Sequence, residues 1–151
     1  MKNWLINLEP TETTFEIGVI QLAWLGDAVW ELHQRMRYIK MPARSKDLHL
    51  SVVNNVKANS QAESLIFLEP LLNDFEIDLV RRARNKTKRS PKGIQPNIYA
   101  KSTGFETLIG WLFLNNPKRL SDLFKVFIVN IELREIIMYK KNGIDNIEFK
   151  L

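Results

Sequence analysis

Leu22-Ala-Trp-Leu-Gly-Asp-Ala-Val-Trp-Glu31 is the stretch that decides how this 151-residue chain is read. It is mostly apolar and reads as the middle of a buried helix, yet it holds one carboxylate, Asp27. Aspartate has poor helix propensity, and burial strips an ionised carboxylate of its hydration. A helix that tolerates it supplies a cation, a metal or a set of donors. Gly26 directly before it costs roughly 1 kcal/mol against alanine in a helix interior, which points to close approach of another backbone. Glu31 lies one turn on, on the same face. A structural salt bridge and a functional carboxylate both fit this stretch.

A second stretch repeats the pattern: Tyr99-Ala-Lys-Ser-Thr-Gly-Phe-Glu-Thr-Leu-Ile-Gly-Trp-Leu-Phe-Leu114. Glu106 is a lone carboxylate ahead of Leu108, Ile109, Leu112 and Phe113, with Gly110 one turn after it and Ser102 and Thr103 one turn before. Glu106 could pair with Arg84 or Lys101. Two isolated carboxylates, each beside a small residue on an apolar helix, also make a plausible divalent-cation pair. Mg2+ takes carboxylate oxygens while keeping several waters, and it can lower the pKa of a water and neutralise phosphate charge.

Between these stretches lies a basic run: Arg81, Arg82, Arg84, Lys86, Lys88, Arg89, Lys92 and Lys101, with no acid between Asp78 and Glu106. Part of it can cap a helix C-terminus. The rest falls in a loop punctuated by Ser90, Pro91, Gly93 and Pro96, where phosphate binding is expected. No aromatic occurs between Asn85 and Tyr99, so contact with duplex RNA fits better than stacking of unpaired bases.

Leu25-Gly-Asp27-Ala28 in an apolar helix resembles the signature of the ribonuclease III catalytic domain, and most closely its short bacterial form, Mini-ribonuclease III. Ser102-Thr-Gly-Phe-Glu106-Thr-Leu-Ile-Gly110 is similar to that form's second acidic motif, and Arg81-Arg-Ala-Arg-Asn85-Lys to its basic segment. The resemblance covers roughly residues 15 to 135. Larger members carry a glutamate where this chain has Ala23 and an aspartate where it has Thr103; Mini-ribonuclease III lacks both. The chain also ends without room for the double-stranded-RNA-binding domain of the larger enzymes.

The resemblance implies an all-α homodimer that cleaves double-stranded RNA with Mg2+, leaving 3′ overhangs, and that trims the duplex stem flanking the large (23S) ribosomal RNA precursor. It implies that Asp27 and Glu106 hold the cation, with Glu31, Ser102 and Thr103 positioning around them. Arg81, Arg84, Lys86, Lys88, Arg89, Lys92 and Lys101 would contact RNA. The alternative is a non-catalytic RNA- or ribosome-binding module of the same fold.

The remaining sequence agrees with one domain over 1–151, with a core from about 15 to 139. Net charge is +5, with 45% hydrophobic and 26% charged residues, ordinary for a globular chain with an anionic partner. The absence of cysteine excludes disulfides and thiolate chemistry and fits a reducing cytoplasm. Glu9 and Pro10 interrupt any signal pattern, and no apolar run approaches the ~18 residues of a membrane span. His33 and His49 lack partner motifs and read as packing or surface residues, and the glycines form no phosphate-binding fingerprint.

Six helices are expected. The first runs over 15–38, with a cap among residues 11–14 and Glu16 in its first turn. The second starts at a Ser45 cap, with Leu48, Val52, Val53 and Val56 inward, and breaks near Lys57. The third spans 60–72 and turns Ala62, Leu65, Ile66, Leu68 and Leu72 inward, with its end distorted by Pro70. The fourth, over 75–86, is capped by Asn73 or Asp74 and turns Ile77, Val80 and Ala83 inward. The fifth covers 99–114. The sixth covers 117–139, stopped by Asn142-Gly143 before a short tail at 147–151. Trp24, Val29, Trp30, Leu32 and Met36 spread around the first helix, more apolar surface than one core face needs. That predicts a two-fold homodimer along this helix; a monomer with the helix wrapped on all sides is the alternative.

Overall fold

The computed structural model describes residues 16–141, with side chains to residue 129. Its architecture is all-α, as predicted, with no strand among the described residues. Six helices follow one another: α1 (Val19–Tyr38), α2 (Ser45–Val56), α3 (Ala58–Leu68), α4 (Asp74–Lys86), α5 (Pro96–Asn115) and α6 (Pro117–Lys141). A 3-10 turn, Glu69–Leu71, sits between α3 and α4 at Pro70.

The central packing is α1 against α5, and two glycines make it possible. A Cβ on Gly26 would overlap the carbonyl oxygen of Glu106, and one on Gly110 would overlap that of Leu22. The two backbones therefore touch at a crossing where only hydrogen fits. α3 and α4 pack on the other sides of α5, α2 packs against α1, and α6 packs against α5. Phe105, Leu108, Ile109 and Leu112 of α5 are fully buried and join Trp30, Leu65, Leu68, Val80, Leu120, Leu123 and Phe127 in one core. The helix wrapped on all sides is thus α5, not α1. On α1 the outer face stays open, with Trp24 82%, Met36 58% and Leu32 43% exposed.

Several boundaries differ from the sequence expectation. α1 starts at Val19 behind Gly18, so Glu16 precedes the helix; the cap expected among residues 11–14 lies outside the described residues. Arg44, not Ser45, is the N-cap of α2, and α2 does break at Lys57. α3 begins two residues early, at Ala58. Pro96 is the first residue of α5 rather than a loop residue, because a missing N–H is harmless at that position. α6 continues to Lys141; the stop at Asn142-Gly143 and the tail lie outside the described residues.

Val53, Ile66 and Ile77 are exposed rather than inward. The buried stripe of α4 is Glu76, Leu79, Val80 and Ala83, and Ile77 sits about 100° off it. Asn73 caps α4 by accepting from the Glu76 N–H at 2.9 Å, while Glu76 accepts from the Asn73 N–H at 3.0 Å. Burial alone would raise the Glu76 carboxyl. The Arg119 guanidinium, donating at 3.0 and 3.1 Å, and the Asn73 N–H together hold it below its ordinary value. His33 is half-buried, stacked between Trp30 and Phe124, where burial and the Arg37 charge push its pKa down to about 4.

Candidate active site

The α1–α5 crossing fixes where the two lone carboxylates lie. Asp27 follows Gly26, whose backbone abuts that of Glu106, so both acids open into one groove. The groove is a cleft of about 510 Å³. Ile20, Ala23, Trp24 and Asp27 of α1 form one wall, and Tyr99, Thr103 and Glu106 of α5 form the other. Lys86, at the end of α4, continues into Thr87, Lys88 and Arg89 of the following loop to complete it. An acidic pair thus shares a cleft with three cationic side chains.

Neither acid takes part in an ion pair among the described residues; Arg84 lies instead 3.9 Å from Glu69. The salt-bridge reading of Asp27 and the Arg84 pairing considered for Glu106 therefore do not hold there. Among the described residues the side-chain hydrogen-bond partner of Asp27 is Gln61 of α3, whose Nε2 donates to Oδ1 at 3.4 Å. Burial raises the Asp27 carboxyl, the charge of Glu31 adds to that, and the Gln61 hydrogen bond offsets part of it. Burial and then the Asp27 charge push Glu106 up to about 8 from 4.5, with Gln61 again opposing.

This shift sets a pH dependence. A folded-state pKa above the unfolded one favours folding fully below about 4.5, and that favour is lost as pH rises through about 8. A divalent cation held by Glu106 would offset this loss, so thermal melts with and without Mg2+ would then diverge across this window, most at its alkaline end. Parallel melting curves would show that Glu106 does not meet the cation.

The other expected residues are distributed unevenly. Ser102 and Thr103 are both buried; Thr103 lines the cleft, its hydroxyl donating to the Tyr99 carbonyl at 3.0 Å, whereas Ser102 makes the same bond at 2.9 Å away from the cleft lining. Glu31 is paired with Arg35 outside the cleft. Arg81 is drawn to Asp78, while Lys92 and Lys101 lie away from the cleft lining. Only Lys86, Lys88 and Arg89 of the basic set face the acids' groove. Gln61 escaped the sequence reading. Its one signal is an amide inside the buried stripe Gln61, Ala62, Leu65 and Leu68.

The donor set suits a hard divalent cation. No cluster of three or more acidic or histidine ligands exists among the described residues. Two carboxylates that open into a cleft match a cation that keeps several of its own waters. Their mutual repulsion marks a site short of positive charge. Ala23 and Thr103, where larger ribonuclease III enzymes carry acids, both line this cleft, which limits the carboxylates there to two.

The family model of the Ribonuclease III domain matches residues 20–117, a span that holds Asp27, Gln61, Glu106 and the whole basic loop. The chain belongs to the ribonuclease III family. Among its family relatives, the Mini-ribonuclease 3 of a Synechococcus strain is 45% identical over 104 residues, 69% of this chain and 75% of that protein. The Mini-ribonuclease 3 of a Thermoanaerobacter strain is 38% identical over 133 residues, 83% of this chain and 94% of that protein. The fold is also that of a Fusobacterium nucleatum protein known from a crystal structure, with a TM-score of 0.71 at 24% identity over 80% of this chain and 98% of that one.

Proposed function

We propose that this chain is a Mg2+-dependent endoribonuclease that cleaves double-stranded RNA as a homodimer, and that it acts in the cytoplasm on the duplex stem flanking the 23S ribosomal RNA precursor. The carrying observation is the pairing of Asp27 with Glu106 in a cleft that Lys86, Lys88 and Arg89 complete. The choice of precursor follows the resemblance to Mini-ribonuclease III. Family membership and the relatives' shared name support the ribonuclease activity.

The cationic side chains draw the RNA backbone into the cleft, and Asp27 and Glu106 hold the cation beside it. A bound divalent cation supplies charge neutralisation at the phosphate and a more acidic water. Glu106, protonated near neutral pH without a cation, gives up its proton when it becomes a ligand. The exposed apolar face of α1, with Trp24, Leu32 and Met36, is larger in character than scattered surface residues and suits a second copy of the chain. A dimer sets two clefts on opposite strands, and sedimentation then gives twice the chain mass. A module that only bound RNA would gain nothing from keeping repelling carboxylates near phosphates.

The test is incubation of long duplex RNA with and without Mg2+, read on a denaturing gel. Short products only with Mg2+ are expected; bound but intact RNA would mark a non-catalytic module. Neutralising Lys86, Lys88, Arg89 and Lys92 together is expected to weaken duplex binding and flatten its salt dependence. Each lost phosphate contact lowers the log–log slope by about 0.9, the value for duplex DNA. Because Lys92 lies outside the cleft lining, restoring it alone should recover the least. An unchanged slope would place the loop away from RNA.

A further inference from the structure

α3 sends one polar side chain into the interior beside the acids. Gln61 is only 1% exposed and sits in the helix's buried stripe, where α3 packs on α5. A buried amide costs about 1–3 kcal/mol unless its donors are used. Here Nε2 donates to Asp27 Oδ1 at 3.4 Å, and the same amide opposes the upward shift of the neighbouring Glu106 carboxyl. Asn and Gln are the neutral side chains that carry two N–H donors on one nitrogen, so one amide can serve two carboxylates without adding a charge. A lysine or arginine in this place would occupy the position of the cation, and an acid would add repulsion. A carboxylate that gives one oxygen to the amide keeps the other for the cleft.

We infer that Gln61 is a positioning residue, its buried carboxamide holding Asp27 and Glu106 side by side so that their remaining oxygens present one divalent-cation site. This rests on the cation-dependent reading proposed above. Metal ligands depend on such outer hydrogen bonds, whose loss costs about 10–100-fold in affinity. Gln61 acts through the carboxylates and takes no part in the reaction itself.

The test uses Mn2+ as probe, with free ion followed by electron paramagnetic resonance. Gln61→Met keeps length and packing but removes both donors. It is expected to bind Mn2+ about 10–100-fold more weakly with an unchanged helical spectrum. The Mn2+ concentration giving half-maximal RNA cleavage should rise by the same factor, while cleavage at saturating Mn2+ stays within about threefold. A merely structural glutamine would lower thermal stability and leave Mn2+ affinity alone. An unchanged Mn2+ affinity in folded Gln61→Met overturns the inference while leaving the cation site standing. If that variant does not fold, Gln61→Asn takes its place: it retains the amide one methylene short, and affinity equal to wild type overturns the inference equally. Absence of saturable Mn2+ binding by the wild-type protein overturns the cation site itself, and this inference with it.

Discussion

Asp27→Asn and Glu106→Gln are each expected to lower duplex cleavage by at least about 10³-fold while leaving RNA affinity within about threefold. Both amides keep the shape of the acid and lose the anionic ligand. Neither acid has an ion-pair partner to lose among the described residues, and each is raised by burial, so neither change should damage the fold. Without a cation, the substituted proteins should melt no lower than wild type above about pH 8, where the wild-type pair would carry two repelling charges. Gel cleavage, a filter-binding curve and a melting curve on each purified variant check the three statements together. Near-normal cutting by either variant would remove that acid from the chemistry. A collapse of helicity would restore the structural role for it.

Gly26→Ala is expected to be the most damaging single methyl addition in the described chain. The added Cβ overlaps the Glu106 carbonyl oxygen and crowds its carbonyl carbon and the Gly110 nitrogen, all of them backbone atoms of a helix that cannot step aside. Overpacking ordinarily costs about 1–3 kcal/mol, and this clash belongs at or above the top of that range. At this chain length each kcal/mol lowers Tm by roughly 2–4 °C. Gly110→Ala meets the Leu22 carbonyl and should behave alike. Gly104→Ala meets side-chain atoms of Val80, Arg84 and Leu65 at 3.0, 3.2 and 3.5 Å, which can shift, so about 1 kcal/mol is expected there. Urea melts of the three variants give the order. Gly26→Ala within about 1 kcal/mol of wild type would mean that the helices part easily, and the placement of Asp27 against Glu106 would lose its cause.

These effects also mark what the sequence could show. Asp27 and Glu106 stood out because a carboxylate among apolar helical residues is physically anomalous, and Gly26 and Gly110 because glycine weakens a helix that gains nothing from it. The crossing turned those anomalies into one groove. Gln61 gave no comparable signal: a neutral amide is common on helices, and only the tertiary packing of α3 on α5 brings it to the acids. The basic run read as one cluster along the chain, yet helical rotation carries Arg81 to Asp78 and Arg84 toward Glu69, leaving Lys86, Lys88 and Arg89 at the cleft. Glu76 gave no signal in the sequence either. Its burial depends on Arg119, supplied by α6 from far along the chain. Ile66 and Ile77 show the reverse error, since hydrophobicity alone does not fix the phase of a short helix.

Calorimetric titration of the wild-type protein with Mg2+ at pH 7, in two buffers of different ionisation enthalpy, decides whether Asp27 and Glu106 form one divalent-cation site. With Glu106 raised to about 8, the cation-free site carries its proton at pH 7. Binding should therefore be saturable and release close to one proton per site, seen as a buffer-dependent heat, and should vanish in Asp27→Asn. Saturable binding that releases no proton and survives Asp27→Asn would place the cation somewhere other than between these two carboxylates.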